Sequence, residues 1–262
     1  MIRLVAVDVD GTLVAPDGRG VAESRAAFAA LAAADVAIAI ATGRMVQSAA
    51  AILQEAGVER GYVIALNGSE LWAYPLAAEP LWRKSVPAAA AARALEICLA
   101  FGAEVQGYVA GELRILRRTA RTEAYARRTG VAAHLVAPAE LTREPQKLLA
   151  LLEPAATGEL MTALRSELGG QLDCFRSEPD FVEIVPAGVD KGVALAALAE
   201  RLGMPREQVA AAGDGENDVA MLRSAGRAFA PRTAADAVLA LGPRLLPPPP
   251  DLVAQLARDV LS

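Results

Sequence analysis

The chain has 262 residues, is 54% hydrophobic and carries a net charge of −5 at neutral pH. That size and apolar content leave room for two modest domains with their own cores and argue against disorder. The acidic balance, with a sequence pI near 5.1, argues against a nucleic-acid partner, and no apolar run approaches the roughly 18 residues of a membrane span.

The N-terminal segment Ile2–Val7 reads as a buried strand running straight into acidic residues, not as a leader with a basic start and a cleavage site. The expectation is a cytoplasmic protein with no membrane association. Val21–Ala34 has helical spacing and is rich in alanine, a strong helix former. Val36–Ala41 reads as a second buried strand. Met45–Ala56 reads as a helix stopped by Gly57, and Tyr62–Leu66 as a third strand. Strands alternating with helices imply βαβ units and a parallel sheet.

The rhythm then changes. Glu70–Tyr74 and Leu81–Ser85 read as a hairpin. Helix Ala88–Phe101 is followed by strands Glu104–Val109 and Glu112–Arg117, then helix Thr119–Arg128. Strand Leu148–Leu152, helix Thr157–Leu168 and strands Gln171–Arg176 and Phe181–Val185 complete a helix-and-sheet module. From Asp190 the first rhythm resumes, with a helix to Leu202, strand Val209–Ala212, helix Asp218–Ser224 and a last helix after Pro247–Pro250. The expected fold class is α/β: a parallel-sheet core, residues 1–82 and 187–262, interrupted by an inserted α/β domain at 83–186.

Several chemistries are excluded by what the chain lacks. It has one histidine, His134, so a two-His metal site and a phosphohistidine pair are unavailable, and a Ser-His-Asp triad is not expected. Its two cysteines, Cys98 and Cys174, sit among apolar residues and read as buried thiols of a reducing compartment. Neither begins a Cys-x5-Arg phosphate loop, because Glu104 and Asp180 stand at the required positions. The basic residues Arg114, Arg117, Arg118 and Arg121 read as a solvated surface.

Four segments carry chemistry. Asp8-Val9-Asp10-Gly11-Thr12-Leu13 follows the first strand, and in parallel α/β sheets ligands bind beyond the carboxyl ends of strands. Gly11 permits a turn that brings Asp10 round beside Asp8. Ala41-Thr42-Gly43-Arg44 ends the second strand, where a hydroxyl and turn N–H groups suit an anion. Lys191 opens the helix that re-enters the core, capped by Asp190. Gly213-Asp214-Gly215-Glu216-Asn217-Asp218 again lies just past a strand. Asp8, Asp10, Asp214 and Asp218 are therefore expected at one edge of the sheet. Two like charges 4 Å apart repel by about 4 kcal/mol at an effective dielectric near 20, so the cluster calls for a cation. All-oxygen donors select Mg²⁺. The cation, Thr42 and Lys191 can neutralise a phosphate that a neighbouring aspartate attacks. An EF-hand reading of Asp8–Arg19 fails, since Leu13 and Arg19 occupy the places of its glycine and its glutamate.

In these motifs, in Asn67-Gly68 and in the Val-Ala-Met-Leu that follows Asp218, the chain resembles the haloacid dehalogenase superfamily, and within it the Cof-like phosphatases. The resemblance implies a Rossmann-like core with an α/β cap inserted between the second and third motifs. It implies Asp8 as nucleophile, Asp10 as general acid and base, and Thr42 and Lys191 as holders of the phosphoryl group. The turn Thr42-Gly43-Arg44 and Asn217 would complete the substrate site. Asp8, the Asp10 backbone carbonyl and Asp214 would bind Mg²⁺, with Asp218 in the metal's outer shell. The implied substrate is a small phosphorylated metabolite. A phosphomutase of the same superfamily and a non-catalytic metal- or phosphate-binding protein are the rival readings. The segment from Ala228 to Pro250 departs from the family's usual strand ending in Met-x-Asn-Ala, with Ala228-Phe-Ala-Pro231 in its place.

Overall fold

β1 (Leu4–Asp8) is five residues long and buried throughout, as a strand covered on both faces must be. The computed structural model to which it belongs describes residues 1–262. β1 is followed by α1 (Arg25–Ala33), β2 (Ala37–Ala41), α2 (Val46–Glu55), β3 (Gly61–Ala65), β4 (Glu70–Tyr74) and the two-residue β5 (Trp82–Arg83). Helix α1 begins four residues later than its apolar spacing predicts. Ser24 Oγ donates to the Gly20 carbonyl at 2.6 Å, and this local bond holds the preceding residues in turns.

The chain then forms α3 (Ala88–Ala100), β6 (Glu104–Val109), β7 (Glu112–Ile115), α4 (Ala120–Thr129), β8 (Ala133–Leu135), α5 (Pro138–Leu141), β9 (Lys147–Leu151), α6 (Thr157–Leu168), β10 (Leu172–Glu178) and β11 (Phe181–Pro186). It returns through α7 (Lys191–Arg201), β12 (Val209–Ala212), α8 (Val219–Ser224), β13 (Arg227–Pro231), α9 (Asp236–Leu239), β14 (Arg244–Leu246) and α10 (Leu252–Leu261). By its internal packing the chain divides into two units, Met1–Trp82 with Asp190–Ser262, and Arg83–Val189.

The first unit is an α/β layer structure around an eight-stranded sheet of order β14-β13-β12-β1-β2-β3-β4-β5. The strands from β14 to β3 run parallel, and β4 turns back antiparallel on β3. On one face Leu4 and Ala6 of β1 pack with Leu195 and Leu198 of α7 and with Met221 and Leu222 of α8. Helices α7 and α8 approach closely because residue 192 is glycine: a Cβ there would lie 2.4 Å from the Ala220 carbonyl oxygen.

The second unit has a six-stranded sheet of order β10-β11-β9-β6-β7-β8, antiparallel except between β7 and β8. Helices α3 and α6 share a buried cluster with Val105, Leu148, Ala150, Val182 and Ile184 of that sheet. Alternate residues of β9 and β11 face the other way and include Lys147 and Glu183, a buried ion pair at 2.8 Å.

Candidate active site

The site is positioned by the strand order. β1 lies next to β12: from β1 the chain runs outward through β2 and β3, and from β12 it runs outward the other way through β13 and β14, which makes this the switch point where parallel α/β sheets bind ligands. The register aligns the three strand ends: Asp8 pairs with Ala41, and Val7 pairs with Ala212. Asp8 closes β1, Thr42 follows β2 immediately, and Gly213-Asp214 follows β12. All three motifs therefore leave one edge of the sheet.

Lys191 enters from the first turn of α7, whose N-cap is Asp190, with Oδ1 accepting from Val193 N at 2.7 Å. The Lys191 ammonium donates to Asp8 Oδ1 at 2.6 Å and to Asp218 Oδ1 at 2.7 Å. Lys191 and Asp218 are 1% exposed and Asp8 is 5% exposed, so this is a desolvated triad. The other oxygen of Asp218 accepts from the backbone N–H of Asp214 at 3.0 Å and of Gly215 at 2.9 Å. Asp218 thereby shapes the turn that presents Asp214. Thr12 donates its hydroxyl to Asp214 Oδ1 at 2.7 Å.

Gly11 makes this approach possible. It has φ +90°, and a Cβ there would lie 2.3 Å from Asp214 Oδ2. Carboxylate oxygens of Asp8, Asp214 and Asp218 come within 4.8 Å of one another. Asp218 has both oxygens engaged, whereas Asp8 and Asp214 each keep one oxygen outside these hydrogen bonds. The donor set is hard and anionic, and it fits a hard divalent cation.

The electrostatics follow from burial. Desolvation, then repulsion from Asp218, pushes the Asp8 carboxyl well above its ordinary range, against the opposing pull of Lys191. Burial raises Asp214 too, with the Thr12 hydroxyl opposing it. For Lys191 burial disfavours the charge, but Asp218 and Asp8 outweigh it and hold the ammonium protonated above its ordinary range.

The remaining expected residues surround this centre. Thr42 is 1% exposed, and its hydroxyl accepts from Arg44 N at 3.1 Å. Asn67 donates its backbone N–H to the Thr42 carbonyl at 3.0 Å. It adopts φ 56°, a left-handed conformation that asparagine tolerates. Its side-chain oxygen accepts from Asn217 Nδ2 at 3.2 Å, and Gly43 lies against the same amide, where a Cβ would stand 3.2 Å from Oδ1. The Asp10 side chain stands apart from the carboxylate group; its carboxylate is held by Arg44. Sequence reasoning assigned no role to Thr12. The signal for it is its place in the turn, two residues after Asp10.

A family model for haloacid dehalogenase-like hydrolases matches residues 5–244. The chain belongs to the haloacid dehalogenase-like hydrolases. An HMP-PP phosphatase of Cronobacter sakazakii is 30% identical over 250 residues, covering 94% of this chain and 89% of that protein. One from Serratia proteamaculans is 28% identical over 259 residues, with the same coverage of 94% and 89%. The crystal structure of TM0651 from Thermotoga maritima superposes with a TM-score of 0.85 at 26% identity, covering 99% of this chain and 97% of that one.

The features left outside this candidate site have ordinary explanations. His134 is exposed on β8. Cys98 and Cys174 are buried free thiols. Arg114 pairs with Glu112, and Arg121 pairs with Glu153. No helix is long and apolar enough to cross a membrane.

Proposed function

We propose that this hydrolase is a phosphatase that removes the phosphoryl group of a small phosphorylated metabolite by way of a phospho-aspartate on Asp8. The observation that carries the reading is the buried Lys191 ammonium bound to both Asp8 and Asp218, with Asp214 beside them. A lysine held between two carboxylates opposes the protonation that burial favours at Asp8, aims its oxygen, and offers positive charge where phosphoryl oxygens would lie. The names of the relatives, HMP-PP phosphatases, support the same class of substrate.

In this reading an Asp8 oxygen attacks phosphorus and the bond from phosphorus to the leaving oxygen breaks, while Asp10 gives that oxygen its proton. Water then attacks the acyl phosphate and loses a proton to Asp10. The bond from Asp8 to phosphorus breaks, which frees inorganic phosphate and restores the carboxylate. Thr42 and Gly43 line the turn assigned to the phosphoryl group, Arg44 at its end reaches Asp10, and Asn217, tied to Asn67, supports it. Asp8 and Asp214, with the Asp10 carbonyl, would hold Mg²⁺, and Asp218 would hold the loop behind them. When bound, the ion supplies positive charge against the phosphoryl oxygens.

The test is phosphate release from a panel of esters, with HMP-PP first and an aryl phosphate as the generic probe, in EDTA, Mg²⁺ or Ca²⁺. Activity with Mg²⁺, none in EDTA and inhibition by Ca²⁺ are expected, since Ca²⁺ seeks six to eight ligands and draws in both nucleophile oxygens. Full activity in EDTA contradicts the metal assignment, and no release from any ester contradicts the phosphatase reading.

A further inference from the structure

One side-chain pair joins the loop after β1 to the loop after β2. Arg44 donates from Nε to Asp10 Oδ2 at 3.0 Å and from Nη2 to Asp10 Oδ1. Both oxygens of the carboxylate are taken by one planar fork, a geometry that a lysine ammonium cannot reproduce. Both ends of the pair are themselves anchored. The Arg44 N–H donates to the Thr42 hydroxyl at 3.1 Å, and its carbonyl accepts from Leu66 N at 3.0 Å. Behind Asp10, the Gly11 N–H donates to the Val14 carbonyl at 2.9 Å.

Stability does not account for this arrangement. The side chains are 37% and 62% exposed, and an ion pair in that setting contributes little to folding. What the fork fixes is direction. Asp10 stands at a turn one residue before Gly11, and a lone carboxylate there would have several rotamers open to it. With both oxygens engaged, the carboxylate has one orientation, set by the loop that begins at Thr42.

We infer that Arg44 is a positioning residue for Asp10 and acts on the reaction through that carboxylate, not by gripping the phosphoryl group. The inference rests on the reading of Asp10 as the proton carrier. A carrier must meet the leaving oxygen at hydrogen-bond distance, and a misplacement of about 1 Å can cost about 10²-fold in rate. Arg44 ties the carrier to the same turn that supplies Thr42, so the two move as one unit.

The experiment uses the full chain with Arg44→Met, Arg44→Lys, Asp10→Asn and the double variant Asp10→Asn/Arg44→Met. Two esters are compared under single turnover in Mg²⁺: nitrophenyl phosphate, whose leaving group departs without a proton, and an alkyl phosphate, whose leaving group needs one. Arg44→Met is expected to slow release of the alcohol by about tenfold or more while nitrophenolate release stays within about threefold. Half-saturation should hold steady for both esters. Arg44→Lys should fall with Arg44→Met, because it keeps the charge and loses the fork. Adding Arg44→Met to Asp10→Asn should cost nothing further. Equal losses on both esters, with raised half-saturation and full additivity with Asp10→Asn, would overturn the inference and make Arg44 a phosphate ligand. If Asp10→Asn slows both esters alike, the proton-carrier reading of Asp10 fails and the inference falls with it. That outcome is read from Asp10→Asn alone, without any Arg44 variant.

Discussion

The Lys191 ammonium donates to Asp8 Oδ1 at 2.6 Å, although 183 positions of sequence separate the two residues. The bond is made in a setting where both side chains are nearly shut off from water, 1% and 7% exposed. Neither charge can be left there alone. Replacing Lys191 with methionine keeps the bulk of the stem, strips the cation and leaves Asp8 and Asp218 facing each other. Turnover of an aryl phosphate is expected to fall by at least about 10²-fold. Metal-free Lys191→Met should also lose about 3–5 kcal/mol in urea unfolding, the usual result of breaking a buried pair. A variant that unfolds at the wild-type midpoint and turns over normally would show that Lys191 is not the counter-charge of Asp8.

A second buried pair makes a separate stability prediction. Lys147 Nζ lies 2.8 Å from Glu183 Oε2, with side chains 1% and 8% exposed. Ser177 donates to the other Glu183 oxygen at 3.0 Å, and the ammonium stands 4.4 Å from the centre of the Tyr108 ring. Lys147→Met alone should cost about 3–5 kcal/mol, and adding Glu183→Leu should recover most of it, because the stranded carboxylate is removed. Denaturant melts of both variants and of the double variant decide this. No recovery in the double variant would show that the two residues are not energetically paired.

Burial raises the Cys98 thiol to about 12 from an ordinary value of 9.0. The folded protein therefore holds a proton that the unfolded chain releases at lower pH. The sign follows: this contribution to stability is intact below the unfolded value and is lost as pH rises through the folded one. Tyr108, pushed well above its ordinary range first by burial and then by its neighbour Tyr125, acts in the same direction. Urea midpoints measured from neutral pH to about pH 11 should fall on the alkaline side, less steeply for Cys98→Ala. At pH 8 the native protein should leave Cys98 unmodified by a maleimide. Rapid labelling in the folded state would contradict the burial.

Much of this site was legible before the fold. The strands β1, β2 and β12 are short apolar runs: Asp8 closes β1, Thr42 follows β2 and Gly213-Asp214 follows β12, and a parallel sheet leaves such ends at one edge. Lys191 was recognisable only through its partners in the motif, because one lysine at a helix start carries little information alone. The fork from Arg44 to Asp10 was not legible, since nothing in either turn specifies which nearby charge a side chain will meet. The role of Asp218 was only partly so: that its second oxygen takes two backbone N–H groups depends on the turn at Gly213–Gly215. β13 and β14, with α9 between them, escaped a reading based on periodicity because β13 ends at Pro231 and β14 has three residues. Their strand form comes from the register that β13 keeps with β12 and β14 keeps with β13, a tertiary effect that outweighs local preference. β8, with His134 exposed at its centre, is an edge strand of the same kind.

The proposed mechanism stands or falls on Asp8. In the proposed mechanism Asp8→Asn keeps the shape and removes the nucleophile, so the covalent route closes, whereas Asp10→Asn leaves it open to a leaving group that needs no proton. The direct measurement is a rapid acid quench of the wild-type protein with labelled aryl phosphate and Mg²⁺. Reduction with borohydride and peptide mass spectrometry then locate the modified residue. The account predicts an acid-stable, hydroxylamine-sensitive phosphoryl group, reduced to homoserine at position 8, present in Asp10→Asn and absent in Asp8→Asn. Label on another residue, or substantial turnover by Asp8→Asn, would contradict it.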